Sequence, residues 1–176
     1  MNYVPYKGCK KSQISQGFHE GHKANDFWFK NCYGTWLVAP ENVKIKWADN
    51  GKVLDELPDG LDRGYGIRMQ SISNPEREYL YWHCLPVFPV EVGENVLGGE
   101  EVAQMGNSGI CYSQGILMAL GDKLNGNHPG AHLHYAEYKN GIEVDPQLDI
   151  DWIKQPKGDW LKETWIVFQK IFNLMK

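Results

Sequence analysis

A mainly β fold of antiparallel strands, closed by one C-terminal helix, is what this sequence predicts, on three observations. Apolar residues alternate with polar ones over short runs, as Val43, Ile45 and Trp47 do between lysines, which is the period of a half-buried strand. Glycine, proline and asparagine interrupt those runs at short intervals, the spacing of strands joined by tight turns. A sustained helical period appears at residues 159–175.

The 176 residues are enough for one ordinary domain with a single core, and 42% apolar against 23% charged residues reads as soluble and globular. With 18 basic and 22 acidic residues the net charge is -4, which argues against nucleic acid and against charge-driven attraction to anionic polymers. No apolar run follows a basic start in the first thirty residues and no long apolar span occurs, so neither a signal peptide nor a transmembrane segment is expected. Cys9, Cys32, Cys84 and Cys111 are scattered without a CxxC pair, which argues against a thiolate zinc ribbon. Free, mostly buried thiols are favoured over a disulfide framework, which belongs mainly to smaller secreted domains.

Taken in order, residues 1–16 read as an extended lead-in that joins the domain around Ile14. Gly17, Gly21 and Asn25 make a loop that feeds a strand opening at Asp26, with Phe27 and Phe29 toward the core and Asp26 and Trp28 on the other face. Strand signals follow at 36–39, 43–47 and 52–57, then an acidic turn at 58–62 and a strand from Gly64 through Ser73. Over 78–85, alternation places Tyr79, Tyr81 and His83 on one face and Leu80, Trp82 and Cys84 on the other. Short strands and turns fit 86–109. The long connection at 110–130 reads equally as a lid or as a one-turn helix plugging the core. A strand over 131–137 and the Asn140-Gly141 hairpin turn end the β pattern. Asp159 then caps the amphipathic helix, whose apolar stripe packs on the domain or on a partner.

The chemistry lies in His132-Leu133-His134. On a strand the two rings face one side, about 6.6 Å apart along the backbone, so one can bind a metal while the other handles a proton. Composition alone yields about 0.17 such motifs, so the context decides its meaning. His22 with Asp26 and His83 supply that context. Catalytic zinc sites use three protein ligands and leave a fourth position open, and two imidazoles with a carboxylate make such a set. His22, Asp26 and His134 would be that set, although HxxxD spacing is unspecific, with about 0.34 occurrences by composition.

The order and surroundings of these motifs resemble the lysostaphin-type zinc metallo-endopeptidases, which cleave peptide cross-links of bacterial peptidoglycan. The resemblance is carried by Gln16-Gly17-Phe18 ahead of His22 and Asp26, Ala39-Pro40, Gly64-Tyr65-Gly66 and Tyr81-Trp82-His83. It continues through the run from Val92-Gly93-Glu94 to Gly106-Asn107-Ser108-Gly109, His132-Leu133-His134, and Gly141 to Asp145-Pro146. It implies the family's antiparallel sheet architecture with its duplicated hybrid motif. It also implies Zn2+ held by His22, Asp26 and His134, proton transfer by His132 and His83, and peptidoglycan peptides as substrate. On this reading residues 1–155 are the peptidase domain and 156–176 the helix, a candidate surface for a protein partner.

Three departures stand out. Ala24 replaces the usual glycine between His22 and Asp26, and the connection from Gly109 to His132 is much longer than the family's short turn, which predicts a remodelled groove wall. Without a signal peptide or room for a separate wall-binding domain, the expectation is a protein encoded by a phage, released by lysis or carried on a virion, or held in a larger assembly. Two other readings are weighed: a non-catalytic wall-binding or structural domain of the same fold, and a cysteine hydrolase using Cys84 or Cys111. The five-residue set favours the peptidase.

Overall fold

Alternation in the sequence becomes strand in the structure wherever one side of a run can be buried. The computed structural model describes residues 1–48, 64–118, 123 and 126–156. The strand expected at 52–57, the acidic turn at 58–62 and the helix at 159–175 lie outside the described residues. In chain order the strands are β1 Ile14–Gln16, β2 Asn25–Phe27, β3 Trp36–Val38, β4 Val43–Ala48, β5 Tyr65–Ser71 and β6 Arg77–Cys84. They continue with β7 Asn95–Val96, β8 Glu101–Gln104, β9 Tyr112–Ser113, β10 Ile116–Leu117, β11 Leu133–Lys139 and β12 Ile142–Val144. The main sheet is antiparallel in the order β1-β2-β11-β6-β5-β4-β7, with β12 also paired to β11. β3 pairs with β8 and β9 with β10 in two small sheets, so the mainly β antiparallel expectation holds.

Strand β11 organises the sheet because its two faces do different work. Leu133 and Tyr135 point into the core with Phe27 and Tyr81, all fully buried, and the Tyr81 and Tyr135 rings meet edge to face at 5.0 Å. Burial of Phe27 and Leu133 stabilises the fold by roughly 1.5–3 kcal/mol each. The opposite face carries His134 and, farther along, Ala136 packed with Ala24, Leu80, Trp82 and Trp47. Asn140 and Gly141 both have positive φ, 53° and 75°, the two-residue turn that matches strand twist and leads into β12.

An ion network locks the far end of β11. Glu137, with no exposed surface, meets Arg77 on β6 at 2.7 Å, and Arg77 reaches Asp149 at 2.7 Å. Lys139 joins Asp149 at 2.6 Å. Burial, only partly countered by Arg77, pushes the Glu137 carboxyl up to about 7.

Three expectations need correction. The lead-in joins the domain long before Ile14: Asn2 bridges Ile150, and Val4 and Tyr6 are core residues, because those apolar side chains find a place against the sheet. Within the apolar stretch after Gly115, Ile116 and Leu117 plug no core but form β10 of a hairpin, 65% and 55% exposed. Its turn, Gln114-Gly115, has φ of 51° and 77°, a tight left-handed corner. The third correction concerns His83. Tyr79, Tyr81 and Cys84 all sit in the core, so the alternation that put Cys84 opposite them stops at His83, whose φ is 63°.

Candidate metal centre and its groove

Asp26 and His134 are cross-strand partners between β2 and β11, so their side chains rise from the same face. Nδ1 of His134 lies 2.9 Å from Oδ1 of Asp26. His22 reaches the same oxygen, its Nε2 at 3.2 Å, from the loop before β2. That loop is closed by mutual backbone hydrogen bonds of His19 and His22 at 2.9 and 3.1 Å, and by the Phe18 amide donating to Asn25 Oδ1 at 2.9 Å. Asn25 in turn donates to Asp145 Oδ1 at 2.8 Å. One ligand atom from each of His22, Asp26 and His134 lies within 4.8 Å of the others, a group that can hold a metal ion.

Tautomers follow from the partners, since a carbonyl only accepts. Nδ1 of His22 faces the Gly17 carbonyl at 3.3 Å, so the neutral ring carries its proton there and keeps Nε2 as the atom able to ligate a metal, while the protonated ring also donates from Nε2 to Asp26. Nδ1 of His132 faces the Gly130 carbonyl at 2.8 Å, and Nδ1 of His83 the Ser108 carbonyl at 2.9 Å. Both rings therefore present a bare Nε2 in the neutral form. His132 Nε2 stands 3.7 Å from Asp26 Oδ2, and the His83 and His132 rings lie 4.5 Å apart.

Electrostatics sorts the five groups. Burial alone would raise the Asp26 carboxyl, but hydrogen bonds from His134 and His22 outweigh it and hold the acid well below the usual carboxylate range. The hydrogen bond to Asp26 raises His22. Burial, reinforced by neighbouring His132, pushes His83 down to about 3, and burial also lowers His132. Near neutral pH these two imidazoles are uncharged proton acceptors beside a carboxylate-centred ligand set.

His83 gets there by a backbone device that alternation does not reveal. Its left-handed φ of 63° turns the ring to the His134 side of the sheet, while Cys84 returns to the core. Ser108 holds this corner: its hydroxyl donates to the Cys84 carbonyl at 2.7 Å and accepts from the Tyr65 amide at 2.9 Å, while its carbonyl accepts the hydrogen bond of His83 Nδ1. Gly64, at φ 76°, is required there, since a Cβ would come within 2.4 Å of Ser108 C and Gly109 N. Both motifs stand in the sequence, but nothing in their spacing says that they meet; their small residues are the only signal. The two remaining histidines sit outside the ligand set. His128 stacks on Tyr33 at 3.6 Å, steadying the loop before β11, and His19 lies on the loop beside His22.

Cys84 is not poised as a nucleophile. All four cysteines are buried and in no disulfide, and burial pushes the Cys84 thiol far up, away from the thiolate that attack requires. The five groups instead open onto a groove of about 780 Å³, lined from one side of the chain by Gln16 and Trp28 and from another by Tyr112 and Gln114.

No protein-family profile matches this sequence, and no curated protein matches it. Solved structures do. LytU superposes with a TM-score of 0.56 at 24% identity, over 80% of this chain and 86% of that one. Helicobacter pylori Csd3 gives 0.56 at 16% identity, and a zinc-containing peptidase from Vibrio cholerae 0.54 at 18%. These cover 96% and 82% of this chain, which spans only 39% of each of the two larger proteins. The likenesses establish the fold, which is that of the lysostaphin-type peptidases.

Proposed function

We propose that this protein is a zinc-dependent endopeptidase that hydrolyses peptide links of bacterial peptidoglycan, with residues 1–155 as its catalytic domain. The observation that carries the reading is the convergence of His22, Asp26 and His134 within 4.8 Å, beside two neutral imidazoles with bare Nε2 atoms. Two nitrogens and one carboxylate oxygen fit an open catalytic zinc set, and the tautomer of His22 leaves its lone pair free for a metal. Likeness in fold to a zinc-containing peptidase supports the choice of metal.

Zinc held there supplies Lewis acidity, polarising a peptide carbonyl and making water acidic enough to attack near neutral pH. The protein's own residues do the rest. Asp26, kept ionised by its histidines, supplies the negative charge that attracts a cation. His132 accepts the proton of the attacking water at Nε2, its ring aimed by the Gly130 carbonyl. The proton that His132 has taken passes to the leaving amine, directly or by way of His83, whose ring lies 4.5 Å away and is oriented by Ser108. Burial keeps both rings uncharged beforehand, so they start as acceptors.

The test is clearing of purified cell walls with and without chelator, followed by mass spectrometry of released fragments. Clearing lost to chelator and restored by zinc is expected. Activity that resists chelator and yields to thiol alkylation would overturn the proposal, and zinc binding without clearing of any wall type would favour the non-catalytic alternative.

A further inference from the structure

The groove beside the ligand set has walls that the chemistry above does not use. Trp28 lies two residues beyond Asp26 on the same face, with its backbone amide tied to the Gln13 carbonyl at 2.9 Å, and it is 54% exposed. Tyr112 comes from β9 of the hairpin and is 58% exposed, beside its cross-strand partner Leu117. Both aromatic residues line the same groove as His22, Asp26, His83, His132 and His134.

The hairpin is too short to bury its own apolar residues, since each strand has two residues and two-stranded hairpins are marginal alone. It is instead anchored at its base. The Met118 amide donates to the Cys111 carbonyl at 2.9 Å, and Lys123 reaches the Gly109 carbonyl. Gly130 packs so closely there that a Cβ would stand 3.1 Å from Cys111 and 3.2 Å from Met118. Gly130 also supplies the carbonyl that orients His132, at 2.8 Å. The hairpin is thus fastened to the loop that orients His132, and Tyr112 is the exposed aromatic side chain that it brings to the groove.

Charge narrows what that is. Among the described lining side chains Asp26 is the sole carboxylate, and there is neither lysine nor arginine; Ser15, Gln16, Ser113 and Gln114 are polar but uncharged. A charged residue of a bound peptide would lose water there and, among the described lining side chains, gain no partner of opposite sign apart from the metal set itself. β1, which carries Ser15 and Gln16, ends the sheet order, so its outer side is a strand edge on which an extended peptide can lie.

We infer that Trp28 and Tyr112 are specificity-determining residues that bind an extended peptide whose residues next to the scissile bond are uncharged. The inference rests on the endopeptidase reading and adds to it the chemical class of peptide that enters. Charged stem-peptide residues are excluded from the positions flanking the bond, and these two aromatic residues supply the grip.

The test uses the full chain and two kinds of probe: a blocked synthetic peptide of alternating glycine and alanine, and the same peptide with one central residue replaced by glutamate or lysine. Calorimetry on the chelated protein measures Kd, and hydrolysis by the zinc-loaded protein measures KM and kcat. The uncharged peptide is expected to bind, the charged ones about tenfold more weakly, and W28A and Y112A each to weaken binding by about tenfold, as for an aromatic anchor. Y112F, which keeps the ring, should bind like the parent, and zinc content and thermal midpoint should be unchanged in all three variants. KM should rise in the alanine variants with kcat nearly constant. Equal binding of charged and uncharged peptides, or alanine variants within twofold of the parent, would overturn the inference, as would no binding at all. Binding with these differences but no hydrolysis upholds it and tells against the endopeptidase instead, whereas hydrolysis indifferent to both aromatic residues does the reverse.

Discussion

Asp26 and His134 face each other across β2 and β11, carboxylate oxygen to ring nitrogen at 2.9 Å, with His22 at 3.2 Å on the same oxygen. His132, two residues earlier in the chain, stands at 3.7 Å from the other oxygen. One carboxylate thus separates two kinds of histidine: those beside Oδ1 and the one beside Oδ2.

That separation gives the first prediction. H134A should lose bound zinc and all turnover, whereas H132A should keep zinc and lose roughly 10²- to 10⁴-fold in kcat, the worth of a positioned proton acceptor. Metal analysis by mass spectrometry beside kinetics checks it. Equal zinc loss in both variants would refute the division.

The second prediction concerns the backbone at His83, where φ is 63°. Asparagine tolerates this left-handed region and valine does not, so H83N should fold with nearly parental stability while H83V loses about 1–2 kcal/mol more. Both should lose turnover. Chemical denaturation compares them.

Gly64 gives the third. An alanine there meets Ser108 and Gly109 backbone atoms at 2.4 Å, at a φ of 76°, so G64A must push away the corner whose carbonyl orients His83. It should lower stability by more than about 1 kcal/mol and reduce kcat while zinc affinity stays near the parental value, since none of the three ligand-set residues lies on that corner. A large loss of zinc affinity would show that the corner also supports the ligand set.

The fourth is a pH dependence of stability away from the groove. Burial raises Glu137 from 4.5 to about 7 among Arg77, Lys139 and Asp149. Between those values the folded chain holds a proton that the unfolded chain has released, so stability is fully present below 4.5 and falls as pH rises toward 7. The loss is up to about 3 kcal/mol, since a tenfold difference in proton affinity between the folded and unfolded chain corresponds to about 1.4 kcal/mol. E137Q should flatten the curve across that range in urea titrations at successive pH values. An unchanged slope would place the dependence elsewhere.

Several parts of the fold are legible in the sequence because they follow from local rules. Period-two alternation announces β4 and the β11 segment, and Asn140-Gly141 announces its turn, since these depend on residues close in sequence. The place of the lead-in is not legible, because Val4 and Tyr6 are buried by contacts with residues far along the chain, which no short window contains. The hairpin at Tyr112 and Ile116 is hidden for a related reason: an apolar run signals burial, and here the apolar side chains stay exposed, with Tyr112 lining the groove.

The same boundary runs through the site. Sequence by itself determined which residue types stand at which spacing: two histidines on one face of a strand, a histidine four residues before an aspartate, a histidine at the end of a tyrosine-rich strand. It could not determine their mutual distances, because those depend on the pairing of β2 with β11, whose segments lie far apart in the chain. Tertiary structure alone decided that Asp26 meets His22, His132 and His134, and that a left-handed residue, held by Ser108 and made possible by Gly64, brings His83 to the same side. The physical reason is that strand pairing and close packing act between segments remote in sequence, while alternation and turn chemistry act within one.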